Sequence, residues 1–340
     1  MSHFKKIFLF ALLIVCNSVC GQSNHYILIL SKAEKKMVVF DYNTLDTITK
    51  IPVGEDPHEI VTSTDGSMAY VSIPLLNGNG HEIDVVNLKT LKLDKVIDTK
   101  PFYIPHGLAY LEDKLWFTAQ GSKAVAVYDT KTSKIEQVFG TGQDFTHMIY
   151  VAPDGNRFYT TNVESGTISI YEKTQLPPYM PPTGVLPANA KPRIEWRQTL
   201  INVGYGAEGF DVSPDGKELW TARPDGHIIV VNLESKEVKA DLNTTVQGLH
   251  RLKITPDGKM VCIVSVKTGD LLFYNRQTYG PDIKMNIGQG AGIYMDKESN
   301  RMFVSCTSNN YVVVIDLATG KEIKRINIGK PDGVTSVIVK

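Results

Sequence analysis

DGKELWTARPDGHIIVVNLESKEV, residues 215–238, reads as turn, strand, turn, strand. Pro214 ahead of Asp215-Gly216 suits a type I turn, with proline at its second position and glycine at its last. ELWTA (218–222) and HIIVVN (227–232) carry the apolar, β-branched and aromatic residues of buried strands. A loop of polar residues and glycine joins them. Nothing in the stretch has the period of a helix.

The same phrase recurs along the chain, so the repeat decides the fold. MAYVS (68–72), LWFTA (115–119), RFYTT (157–161), MVCIV (260–264) and MFVSC (302–306) match ELWTA, the second strand of a repeat. EIDVVN (82–87), AVAVYD (124–129), TISIYE (167–172), DLLFYN (270–275) and YVVVID (311–316) match HIIVVN, the third. A more polar strand ending in IPVG (51–54), INVG (201–204) or MNIG (285–288) follows, and a short strand precedes each Asp-Gly turn. The residue seven places before that turn, or its counterpart, falls at His58, His106, His147, Glu208, His250, Ala291 and Asp332, spaced 48, 41, 61, 42, 41 and 41 residues apart. Four strands per repeat of this length predict an all-β fold, a β-propeller of four-stranded blades. The chain starts with HYILILSK (25–32), KMVVFDYNT (36–44) and TITKIPVG (47–54), a blade lacking its first strand. It finishes with DGVTSVIVK (332–340), a first strand lacking its blade. Joining the two gives seven blades and leaves no open edge.

Residues 215–238 and ESNRMFVSCTSNNYVVVIDLATGKEIKRINIG (298–329) resemble the YVTN-type repeats of exported bacterial and archaeal seven-bladed propellers. The resemblance covers essentially residues 22–340. It implies the fold and leaves function open, because the family includes surface-layer, binding and enzyme-subunit proteins.

Met1–Gly21 carries Lys5 and Lys6, then the apolar run Ile7–Val15, then small and polar residues. That is the pattern of a secretory signal, too short to span a bilayer as a mature helix. Cleavage is expected after Cys20 or Gly21, giving an exported protein of the periplasm or exterior. Val19 argues against a lipid anchor at Cys20. Lysines and arginines balance acids at 36 each, and removing the signal leaves 34 against 36. A near-neutral chain without basic runs gives no electrostatic case for nucleic acid. Cys262 and Cys306 lie in apolar strand patterns and read as buried free thiols.

Two insertions interrupt the repeat. Residues 173–196, KTQLPPYMPPTGVLPANAKPRIEW, fall between the third and fourth strands of their blade. Their prolines predict a stiff, extended surface loop. Tyr179, Met180 and Trp196 would be the anchors if it docks a protein partner. PLLNGNGH (74–81) lengthens a loop on the face where the first strands begin, and His81 could swing over the channel mouth.

First strands line the axis of a propeller, so the seven register residues form one ring. Four of the seven histidines after residue 21 occupy it. Four imidazoles around a narrow channel repel one another if all are protonated, so they are expected largely neutral, each with a lone pair, beside Glu208 and Asp332. That mixture suits Zn²⁺, Cu²⁺, Ni²⁺ or Fe²⁺ better than Ca²⁺. The expected ligands are His58, His106, His147, Glu208, His250 and Asp332. The alternatives are a small anionic ligand and a solvated channel lining. Gln120, Glu164, Arg223, Lys267 and Asn309 form a second shell on the same face. Arg223 and Lys267 could bind a carboxylate or phosphate. Tyr205 could flank a ligand.

No haem attachment, nucleophile elbow, P-loop or dinucleotide fingerprint is present. GQGAG (288–292) is followed by no helix and reads as a turn. The primary reading is a binding or scaffold protein. Hub histidines also resemble those of propeller metal-dependent lyases and lactonase-type enzymes, which would make His250 or Tyr205 the base. A third reading is a non-catalytic subunit of a periplasmic redox complex.

Overall fold

The computed structural model describes residues 24–76 and 78–340. The expected signal segment 1–21, with Cys20, lies outside them. Seven four-stranded antiparallel sheets follow one another along the chain. Their inner strands are Ile60–Thr62, Pro105–Leu111, Thr146–Val151, Phe210–Val212, Leu249–Ile254, Gly292–Asp296 and Pro331–Val339. Each neighbours the next, and the last neighbours the first, so the sheets are blades around an axis. The fold is a seven-bladed β-propeller.

The closing blade is shared between the chain ends. Asn24–Ser31 pairs on one side with Lys36–Asp41 and on the other with Pro331–Val339, in register from Asn24 opposite Val339 to Ser31 opposite Pro331. Second and third strands are buried on both faces, which is why they read as continuous apolar runs rather than alternating ones. Phe117, Phe158, Trp220 and Phe303 are fully buried there. They fill the space between blades, as where Tyr70 and Ile83 of one blade pack on Phe117 and Leu115 of the next. Fourth strands such as Lys92–Asp98 are mostly exposed.

The repeated turn has a clear chemistry. Gly66 N–H donates to the Ser63 carbonyl, and Asp65 accepts from the Ser63 hydroxyl and the Ser67 N–H. The same bonds recur at Ser213-Asp215-Gly216 and Thr255-Asp257-Gly258. The closing glycines take left-handed backbone, φ +71° at Gly66 and +68° at Gly216, which glycine adopts at no steric cost.

The insertion at 173–196 departs from the expected loop. The third strand runs on to Leu176 and the fourth begins at Arg193, paired throughout, so only residues 177–192 are irregular. Trp196 is not a free anchor. It packs against Trp116, Phe139 and Phe158 with ring centroids 5.2–6.4 Å away, under the Lys173 ammonium. Tyr179 and Met180 are exposed, with Arg193 over the Tyr179 ring. Cys262 and Cys306 are buried free thiols, and burial pushes the Cys306 thiol up to about 12.

Candidate functional site

Each register residue sits just before or at the head of an inner strand. Two residues ahead of it the backbone turns left-handed in six of the seven blades: at Asp56, Ile104, Phe145, Gly206, Gly248 and Lys330. That turn swings the chain inward from the preceding blade's outer strand. Ile104 at φ +59° is an uncommon β-branched case. It is held by Ile104 N–H donating to Gly80 O and by Gln120 N–H donating to Ile104 O. Gly80, in the lengthened loop, thus braces the blade whose inner strand is Pro105–Leu111. His81 lies against Asp98 and edge-on to Tyr103.

The tier begins at Lys32, whose ammonium pairs with Asp332 and lies 2.8 Å from His58 Nε2. His58 Nδ1–H donates to the Asp56 carbonyl at 2.8 Å, so Nε2 is left to accept from Lys32. The His106 ring follows, 4.9 Å from His58 and 3.8 Å from His147 between centroids. His106 is 1% exposed, and its Nδ1 has no hydrogen-bond partner. Burial first, then the flanking His147 and His58, hold it well below the ordinary imidazole range. His147 is also lowered by burial, against the pull of Glu208. Its Nδ1 lies 3.0 Å from the Gln120 side-chain amide and its Nε2 lies 2.9 Å from Glu208 Oε1. The other Glu208 oxygen lies 3.0 Å from His250 Nε2, while His250 Nδ1 lies 3.0 Å from the Ala291 carbonyl. Burial alone would raise the Glu208 carboxyl; His250 and His147 outweigh it and hold the group well below its usual range.

Sequence reasoning therefore placed His58, His106, His147, Glu208, His250 and Asp332 on one tier, and the structure brings them together as a chain. It does not arrange them as a metal centre. Lys32 occupies the lone pair of His58, and both His147 and His250 direct an N–H at Glu208. Among the described residues no three His, Cys, Asp or Glu groups converge on one point. The donor set as arranged does not fit a metal.

Gln120, set by the 3-10 turn Gln120–Ser122, belongs to the site. The rest of the outer shell does not join it. Arg223 forms a two-point pair with Asp225, and Asn309 accepts from the Gln289 N–H. Glu164 and Lys267 are exposed. Tyr205 is 72% exposed. Both nitrogens of His250 face acceptors, Glu208 and the Ala291 carbonyl.

One residue further down each inner strand lies a second tier that sequence reasoning missed: Glu59, Gly107, Met148, Gly209, Arg251, Gly292 and Gly333. Arg251 Nη2 lies 2.6 Å from Glu59 Oε1 and 3.8 Å from Glu208 Oε1, and Nη1 meets the Met148 sulfur. Three side chains thus meet across the channel. Gly107, Gly209 and Gly333 are required by close approach between neighbouring strands. A Cβ at Gly107 would lie 2.5 Å from the His147 carbonyl oxygen, and one at Gly333 2.6 Å from that of His58. The alternation of large residues and glycine, read one place after the histidines, was the available signal. Lys32 and Asp56, on loops, carried none.

No family model and no curated protein matches the chain. Solved structures do. A "putative 6-phosphogluconolactonase" from Bacteroides uniformis superposes with TM-score 0.71 at 16% identity, over 93% of this chain and 100% of that one. A functionally unknown protein from Desulfotomaculum acetoxidans gives 0.70 at 12% identity, over 92% and 98%. Hydrazine synthase of Kuenenia stuttgartiensis gives 0.65 at 17% identity, over 82% and 88%. The likeness is one of fold. At these identities it shows the propeller and no activity.

Proposed function

We propose that the chain is a ligand-binding propeller whose binding end is the histidine tier, and that its ligand is a small anion bearing a carboxylate or phosphate. The supporting observation is His106: a buried imidazole with an unpartnered Nδ1, between two histidines already fixed by Lys32 and Glu208. An unmade hydrogen bond on a buried polar atom costs about 1–3 kcal/mol, which an acceptor on the ligand recovers. An anion beside His106 and His147 also favours their charged forms, which burial suppresses, so binding takes up a proton. A transition metal at His58 would instead sit beside the Lys32 ammonium.

Calorimetry with inorganic phosphate, acetate and Zn²⁺, in two buffers of different ionisation enthalpy, tests this. The expected result is anion binding with proton uptake, tighter at lower pH and lost in His106→Phe. Stoichiometric Zn²⁺ binding abolished by the same substitution, or no binding of either anion, overturns it.

A second role is supported by the 177–192 hairpin tip, on the face opposite the tier. Tyr179, Met180 and Val185 are 55–70% exposed there, a surface suited to a protein partner.

A further inference from the structure

Beyond the second tier the channel holds a cavity of about 270 Å³ on the axis. Leu108, Ile149, Phe210 and Leu252, all buried, and Ile293 give it apolar walls. Arg251 lines it, and the Arg251 Nε–H is buried without a hydrogen-bond partner. The other charges on its wall are already matched: Glu59 by Arg251, Lys253 by Asp211 at 3.5 Å, and Asp332 by Lys32.

We infer that this axial cavity is a second binding site, separate from the histidine tier, for a small uncharged molecule with an apolar body and a carbonyl-type acceptor that takes the Arg251 Nε–H. Three observations specify that class. The volume lies below the roughly 300–1,000 Å³ of drug-sized sites. Apolar walls favour an apolar body. The matched charges disfavour an ionic head, because a carboxylate would have to displace Glu59 from Arg251 or lie beside it unpaired. A buried donor without a partner is the polar feature that remains, and a neutral acceptor completes it without disturbing the ion pair.

Benzamide, benzoate and toluene are suitable probes, titrated into the full protein by NMR. Benzamide has the body and the acceptor, benzoate adds a charge, and toluene lacks the acceptor. Benzamide is expected to bind at least tenfold tighter than either, and to shift the Arg251 Nε–H resonance, identified by its loss in Arg251→Lys. That variant keeps the charge opposite Glu59 but not the Nε donor, and is expected to lose at least tenfold in benzamide affinity. Leu108→Trp, which fills the cavity, is expected to abolish binding. Should either variant fail to fold, the three probes on the wild-type protein decide. Equal binding of benzamide and toluene, preferential binding of benzoate, no binding of any probe, or an unmoved Arg251 resonance overturns the inference.

Discussion

His106 and His147 give the tier a definite pH response. Both are lowered below the ordinary imidazole value of 6.5. Below about 6.5 the unfolded chain therefore binds protons that the folded one refuses, and stability falls as pH falls through that window. Glu208, held below its usual range, adds stability above that range that is lost at lower pH, as the carboxylate protonates. Melting temperature is expected to drop between pH 7 and 5. His106→Phe should flatten that slope, and an unchanged slope would show that other groups set it. Glu208→Gln leaves two imidazoles facing a neutral amide, and the expected loss is about 1–3 kcal/mol, read by chemical denaturation. The register residues were legible in the sequence because their type repeats with the blade. Their partners were not. Lys32 reaches the tier from a loop of the closing blade, a contact between residues 26 apart in sequence. The tier forms no metal cluster among the described residues for a physical reason: histidines at one height of a ring are spread around it, and His58, His147 and His250 each have a nearer partner than a shared ion.

The hairpin at 167–202 is the one blade element that differs in kind. Its strands are ten residues each, against six or seven in the corresponding strands of the other blades. Prolines marked the insertion in the sequence, but strand pairing out to Leu176 and Arg193 was hidden, because the polar alternation there lacks a buried face to betray it. Trp196 belongs to the blade core and the tip does not. Replacing 177–192 by a short turn is expected to leave stability within about 1 kcal/mol of the parent. Trp196→Ala, by contrast, should cost about 2–4 kcal/mol, somewhat below a fully buried tryptophan. If the deletion lowers stability as much as the substitution, the tip packs on the body. Loss of partner capture from a native extract on deletion would locate the docking surface.

The ring was the most legible feature of the whole molecule, because seven copies of one phrase count themselves. What joins the ends is a pair of strands, Asn24–Ser31 and Pro331–Val339, with no covalent bond. Deleting residues 331–340 removes the inner strand of the closing blade, and is expected to abolish a single cooperative melt rather than shorten the ring. Asn24 lies opposite Val339. A circular permutant that links residue 340 to residue 24 and opens within 177–192 is therefore expected to fold and to melt at or above the parent temperature. A permutant that melts far lower would show that the seam depends on its free ends.

The same seam sets an order of events during synthesis. Asn24–Ser31 is made before Pro331–Val339, the strand that covers one of its two edges. Until the six intervening blades have been synthesised, the chain carries an apolar strand with a bare side. Closure of the ring is thus a late act, and a holding factor that shields nascent apolar strands would have its longest task at Asn24–Ser31.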